Sequence, residues 1–303
     1  MYFEGKKTIK LTSGSEIPVL GLGSHLNNHP NIVELYTRAA IELGYRHFDT
    51  ASKYGNEAYI GEALSKIMQS GIKREELFIT TKLWVEDKGN PRQALKESLD
   101  RLGLDYVDLY LIHWPANFIE TDHHKITMKW PLSEVWSKME QLVEEKLARN
   151  IGLSNYNCQI INDLLTYCKI KPAVNQIELN PYLRQHHFVR WLQEQGIAVV
   201  AYSPIGKPCK VEESQQVMRD PLIIDLADKY NKSPASICIN WGLSQNHVVI
   251  PKSSHFERLK ENIEALDFRM EEKDIESINE LDRDFRVFDP MKGSLKYDVP
   301  LFN

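Results

Sequence analysis

The chain has 303 residues, 42% hydrophobic and 26% charged, a balance that can build a buried core. Its 37 lysines and arginines against 42 aspartates and glutamates leave a formal charge of −5, which argues against nucleic-acid binding through bulk charge; no basic stripe interleaves with aromatics either. No stretch approaches the ~20 apolar residues of a membrane span; residues 1–14 do not read as a secretory signal; and Cys158, Cys168, Cys209 and Cys238 form no C-x-x-C pair, so a reduced, cytoplasmic protein without a zinc site is expected.

The predicted elements begin with residues 8–11 and 16–19, which flank Ser13-Gly14 as a short β-hairpin within 7–19. Residues 19–22 read as a first buried strand. Helical spacing over 32–43 follows, stopped by Gly44. Later strands are expected at 45–48, 77–81, 106–112, 149–153, 173–177, 197–202 and 248–250. Helices are expected at 57–69, 91–102, 132–146, 159–168, 186–195 and 233–243. Counted from residue 19 there are eight strands, alternating with helices, which implies a parallel sheet. The fold class is therefore α/β, a (β/α)8 barrel with the hairpin plugging its bottom. No linker or low-complexity stretch divides the chain, so 1–303 reads as one domain. Two long connections stand out. Residues 116–130 carry Phe118, Met128 and Trp130, and 283–303 carry Phe285, Phe288, Met291, Tyr297 and Phe302. Both read as substrate loops at the carboxyl end of the barrel.

Four polar residues lie just after, or near the end of, apolar strand-like runs: Asp49, Tyr54, Lys82 and His113. In a parallel barrel the strand ends share one mouth, so these four meet there. A phenol is normally a weak acid with a pKa near ~10. A cation at Lys82, held by Asp49, favours its ionised form, and His113 can orient a carbonyl while Tyr54 donates a proton to its oxygen. Each residue alone has a plainer reading: a helix cap, a packed tyrosine, a solvated lysine, a core histidine. Together, beside Trp84 and Trp114, they point to a carbonyl reductase.

The segments Phe-Asp-Thr-Ala-Ser-Lys-Tyr-Gly-Asn-Glu (48–57), Thr-Lys-Leu-Trp (81–84) and Leu-Ile-His-Trp-Pro (111–115) resemble the signature segments of the aldo-keto reductases. The resemblance runs from Leu20-Gly21-Leu22-Gly23 to the tail. It implies that Asp49, Tyr54, Lys82 and His113 form a catalytic tetrad with Tyr54 as proton donor.

A hydride donor is still needed. Gly21-Leu22-Gly23 lacks the third glycine of a dinucleotide fingerprint. A barrel can instead hold phosphate near its seventh and eighth strands. Pro251-Lys252-Ser253-Ser254 follows the eighth strand, with Arg258, Glu261 and Asn262 at helical spacing, which makes either a good anion site or simply a capped helix with an exposed polar face. The resemblance favours the first. It implies NADPH as cofactor, with Lys252, Ser253 and Arg258 on the 2′-phosphate and Glu261 and Asn262 at the adenine. It further implies Ser154, Asn155 and Gln176 on the carboxamide and Tyr202 stacked on the nicotinamide, with Gly23, Ser24, Asp49, Ser203, Pro204 and Gly206 also at the cofactor.

His25, Trp84, His113, Trp114 and Phe118 are expected to line a partly apolar substrate pocket. Many aldose reductases have tryptophan where His25 stands, so this pocket is more polar. The tail, Phe285 to Pro290 and Val299 to Phe302, and the loop Lys210-Val211-Glu212-Glu213 resemble xylose reductases of yeasts. That implies NADH as a second choice, with Glu212 on ribose hydroxyls, unless Glu212 is a plain surface acid. The expected partner is a small-molecule carbonyl, and the expected assembly a monomer or weak dimer. Two other readings stay open: a non-catalytic relative, and a metal-dependent barrel hydrolase, whose H-x-H spacing the pairs His123-His124 and His186-His187 do not match.

Overall fold

The computed structural model describes residues 7–120, 125–127, 130–207, 210–289 and 302. His123, His124, Met128, Cys209, Met291, Tyr297 and residues 299–301 lie outside these, and of Phe118 only the backbone is described.

The chain opens with the expected hairpin, β1 (Thr8–Lys10) and β2 (Glu16–Pro18), with Ile9 opposite Ile17. Strands and helices then alternate: β3 (Leu22–Gly23), α1 (Asn31–Glu42), β4 (His47–Asp49), α2 (Glu57–Gln69), β5 (Phe78–Leu83), α3 (Pro91–Leu102) and β6 (Leu109–Ile112). A second hairpin, β7 (Phe118–Glu120) and β8 (Lys125–Thr127), precedes α4 (Leu132–Glu144). There follow β9 (Ile151–Ser154), α5 (Cys158–Leu164), β10 (Val174–Glu178), α6 (His186–Glu194) and β11 (Ala198–Tyr202). Two helices, α7 (Pro221–Tyr230) and α8 (Pro234–Ser244), lead to β12 (Val248–Ile250), then α9 (Phe256–Ile263) and α10 (Glu272–Asn279).

Eight strands form one parallel sheet in the order β3-β4-β5-β6-β9-β10-β11-β12. Its two edges meet. Gly21 N–H donates to the Val249 carbonyl (2.9 Å), Val249 N–H to Val19 (2.8 Å), and Gly23 N–H to Pro251 (3.0 Å), which closes a (β/α)8 barrel. Residues 19–21, expected as strand, serve this seam. A Cβ on Gly21 would lie 2.5 Å from His47 Nδ1, so that glycine answers a packing demand.

Side chains alternate along each strand, and this sorts core from chemistry. On β5, Ile79 and Leu83 join the shell packed under the helices, and Thr81 donates to Glu57 of α2. Phe78, Thr80 and Lys82 point the other way, into the barrel. There Phe78 packs with Leu109, Leu111, Val174, Val200 and Val248, and with Leu11 and Ile17 of the N-terminal hairpin. The hairpin thus seals the amino ends of the strands. Each large apolar side chain buried this way contributes roughly 1.5–3 kcal/mol.

The expected elements differ from the structure mainly at their ends. Lys82 lies inside β5, and Asp49 is the last residue of β4. The helix expected over 159–168 ends at Leu164. The hairpin β7–β8 and helices α7 and α10 go beyond what periodicity indicated; α7 is announced only by its cap, where the Asp220 carboxylate accepts from Leu222 N–H ahead of Pro221 in the first turn.

Candidate active site

The strand alternation that buries Phe78 also brings Lys82 to the carboxyl end of the barrel interior, where it is wholly buried. A buried ammonium needs partners. Lys82 Nζ donates to Asp49 Oδ1 (2.5 Å) and to the Thr50 carbonyl (2.8 Å), and lies 3.5 Å from Tyr54 Oη. The other Asp49 oxygen accepts from Gln176 Nε2 (2.7 Å). Tyr54 ends a 3₁₀ turn, Ser52–Tyr54, closed by Gly55 at φ 68°. His113 follows β6 directly, its ring centroid 5.5 Å from that of Tyr54. The four residues expected to meet are therefore together.

Burial works against the charge on Lys82, but Asp49 and then Tyr54 outweigh it and hold the ammonium above its ordinary pKa. Burial raises the Tyr54 phenol, Lys82 pulls it down, Asp49 adds to the rise, and the net value lies above a free phenol. The expectation that Lys82 favours the ionised phenol concerns this one contribution, which has the expected sign. Lys82 acts in that direction, yet desolvation wins in the protein alone. Burial, then Lys82 and His25, hold His113 well below an ordinary imidazole, so it is neutral at pH 7. A neutral imidazole and a protonated phenol can both donate to one oxygen placed between them.

The pocket walls follow from ring contacts. His25 lies 4.9 Å from Tyr54 between centroids, and burial with the charges of Lys207, Lys82 and Lys252 lowers its pKa to about 4. Trp84 meets His113 edge-on at 5.2 Å, and Trp114 stacks on it at 6.5 Å. Trp84 and Trp114 form an apolar cluster with Val85 and Ala116, against which Phe302 of the tail packs. Phe288 stands edge-on to Tyr202 (5.4 Å) and His25 (5.9 Å).

The expected cofactor residues divide into a buried set and an exposed set. Asn155 is buried and left-handed at φ 66°; its Nδ2 donates to the His113 carbonyl (3.0 Å) and its Oδ1 accepts from Tyr202 Oη (2.8 Å). Ser154 Oγ donates to the Gln176 carbonyl (3.0 Å). Ser24 Oγ is buried with no hydrogen-bond partner among the described residues, which suits a ligand atom arriving there. Gly23 lies where a Cβ would come 3.0 Å from the Ile250 carbonyl. Ser203, Pro204 and Gly206 form a tight turn after β11, closed by Gly206 N–H to the Ser203 carbonyl (2.9 Å). Beyond β12, Ser253 is buried, its Oγ accepting from His255 N–H (3.0 Å), and Asn262 is buried on α9. Lys252, Arg258, Glu261 and Glu212 are exposed. Cations ahead of a helix, and hydroxyls and amides at the strand ends, are donor types that fit a dinucleotide phosphate and a carboxamide.

A family model described as "Aldo/keto reductase family" matches residues 20–283. The chain belongs to that family. An aldo/keto reductase is an oxidoreductase that draws hydride from NADPH. The chain is similar to the NADP-dependent D-sorbitol-6-phosphate dehydrogenase of Malus domestica, 40% identical over 304 residues, covering 94% of this chain and 97% of that one. It is also similar to the NAD(P)H-dependent D-xylose reductase I,II of Candida tropicalis, 38% identical over 323 residues and covering 97% of each. The solved aldose reductase of Schistosoma japonicum matches with a TM-score of 0.87 at 35% identity, over 94% of this chain and 95% of that one.

This aldo/keto reductase also uses residues that sequence reasoning passed over. Asn56 accepts from Thr50 Oγ1 (2.8 Å) and donates to the carbonyls of Ser24 (2.9 Å) and Asn27 (3.2 Å), joining the loop of His25 to the loop of Tyr54. Glu178, two residues after Gln176 on the same strand face, is buried and accepts from Val287 N–H (3.0 Å) and Phe288 N–H (2.8 Å), which docks the tail over the mouth. Burial raises the Glu178 pKa, and those two N–H groups oppose the rise. The spacing 176, 178 was the available signal for it.

Proposed function

We propose that this enzyme reduces small aldehydes and ketones, aldoses among them, to alcohols with NADPH, using Tyr54 as proton donor. The observation that carries the reading is the Asp49–Lys82–Tyr54 chain, with Asp49 and Lys82 buried and Tyr54 half-buried, beside a neutral His113. When bound, NADPH supplies the hydride to the carbonyl carbon. His113 orients the carbonyl oxygen through a hydrogen bond. As negative charge develops there, the Tyr54 proton moves to it, and the adjacent Lys82 ammonium stabilises the phenolate left behind. Asp49 keeps Lys82 charged and aimed.

Ser154, Asn155 and Gln176 hold the carboxamide, Tyr202 faces the nicotinamide, and Gly23, Ser24, Ser203, Pro204 and Gly206 line the cofactor's path. Lys252, Ser253 and Arg258 read the 2′-phosphate, with Glu261 and Asn262 at the adenine. NADH is the second choice, with Glu212 as its ribose partner; a relative named as NAD(P)H-dependent supports that breadth. His25, Trp84 and Trp114 face the carbonyl compound. Residues 1–303 act as one barrel, with 116–130 and 283–303 as its substrate loops. We place the enzyme in the cytoplasm as a monomer or weak dimer. Among the described residues no helix is long and apolar enough to cross a membrane, and Cys158, Cys168 and Cys238 are free thiols. The test is loss of NADPH absorbance over a panel of aldoses, sugar phosphates and simple aldehydes. No turnover of any of them would overturn the reading.

A further inference from the structure

Lys88 is only 3% exposed, yet its hydrogen-bond partners among the described residues are uncharged: Nζ donates to the Ala116 carbonyl (2.6 Å) and to Asn117 Oδ1 (3.1 Å). An apolar side chain would fill this space without the desolvation cost of an ammonium. What Lys88 adds is grip. Its two acceptors sit where the chain leaves the barrel mouth for the 116–130 excursion. Asn117 Nδ2 in turn donates to the Trp130 carbonyl (3.1 Å), where the chain returns. Gly89 lies against the Trp130 ring, so closely that a Cβ there would come within 3.0 Å of it, and its carbonyl accepts from Lys138 of α4 (2.9 Å). The neck of the excursion is thus tied at both ends to the segment that follows β5.

That segment and this neck carry the apolar wall of the pocket. Trp84 and Val85 precede Lys88 through the 3₁₀ turn Val85–Asp87, and Trp114 and Ala116 precede Asn117; the four pack together beside His113. We propose that Lys88 is a positioning residue that, with Asn117, staples the neck of the 116–130 excursion to the Trp84 segment and thereby sets the affinity for bulky carbonyl substrates. The proposal rests on the carbonyl-reductase reading above.

The test compares the unaltered enzyme with Lys88→Met, Asn117→Ala and the double variant, using NADPH with propionaldehyde and with 4-nitrobenzaldehyde. Loss of a buried hydrogen bond is expected to raise KM for 4-nitrobenzaldehyde by up to roughly tenfold. Change in kcat should stay within about twofold, since no group at the reacting atoms is removed. KM for propionaldehyde should move less, and NADPH affinity by fluorescence titration not at all. The double variant should be no worse than Lys88→Met, because both changes cut one staple. Unchanged KM values in folded Lys88→Met and Asn117→Ala overturn the proposal. So does a joint loss of NADPH affinity and of both KM values, which marks a merely structural role. Where Lys88→Met does not fold, Asn117→Ala, at a half-buried position, decides alone. Absence of turnover in the unaltered enzyme overturns the reductase reading itself.

Discussion

Lys82 has no exposed surface and is fixed by Asp49 and Thr50, whereas Lys252 and Arg258, the cations proposed for the cofactor's phosphate, are both exposed. The two halves of the site do different physical work. Proton transfer requires donors whose positions and charges are set before the reaction starts, in a place water does not screen. Phosphate capture requires reach and a field, and a flexible cation at a helix start supplies both while remaining hydrated when alone. Desolvation is already met in the first half and is deferred to binding in the second.

The largest effects should follow from breaking the buried half. Tyr54→Phe should lower kcat/KM for aldehydes by roughly 10²–10⁴, the usual contribution of a positioned acid. NADPH affinity, measured by fluorescence titration, should be retained, and near-normal turnover would take the proton-donor role from Tyr54. Lys82→Met should be comparably impaired and also less stable, by about 3–5 kcal/mol in a denaturant titration, because Asp49 is left as an unpaired buried charge. The exposed half should give a smaller and more selective loss. Replacing Lys252 and Arg258 together by methionine should weaken NADPH by about tenfold or more for each cation while sparing NADH. Equal weakening of the two cofactors would show that these side chains do not read the 2′-phosphate.

Lys88 sharpens the contrast from a third position, since it is buried like Lys82 but among the described residues its ammonium donates to no carboxylate. Burial alone brings its pKa down to about 7, against ~10.4 in an unfolded chain. Between those values the unfolded chain binds more protons than the folded one, so folding stability should rise with pH across that window and fall as pH drops toward 7, by at most about 1.4 kcal/mol per pH unit. Denaturation midpoints of Lys88→Met should lose that slope; an identical slope in the variant would contradict it. The smallest expected change concerns His113. Held neutral by burial, it should leave kcat/KM flat from about pH 6 to 8, and an inflection near the ordinary histidine value that vanishes in His113→Gln would show that it titrates there.

The deep half was the more legible in the sequence. Apolar runs mark strands, and the residue at the end of a run in a parallel barrel faces the mouth, so the positions of Asp49, Lys82 and His113 are legible in the sequence. Tyr54 was reachable only through its neighbours in the same loop. The residues that hold these in place gave no such signal. Asn56 works through one hydrogen bond within its own loop and two to a loop remote in sequence, and Lys88 looks like any lysine in a polar turn. Their roles depend on which backbone groups happen to arrive beside them. The net pKa of Tyr54 was not legible for a related reason, because a charge neighbour can be inferred from spacing, whereas the depth of desolvation depends on the packed surroundings.

The alternation along β5 bears on how this gene can vary. Thr80 and Lys82 face the interior while Ile79, Thr81 and Leu83 face the helices. A single inserted or deleted codon between Phe78 and Lys82 would exchange the two faces. Asp49 would lose its counter-charge, and the lysine would be driven into the hydrocarbon shell under α2 and α3. Point substitutions along the outer face remain open to drift, one methyl group at a time. Changes of length within this strand are closed to it, and length variation among functional descendants should be confined to the loops at either end.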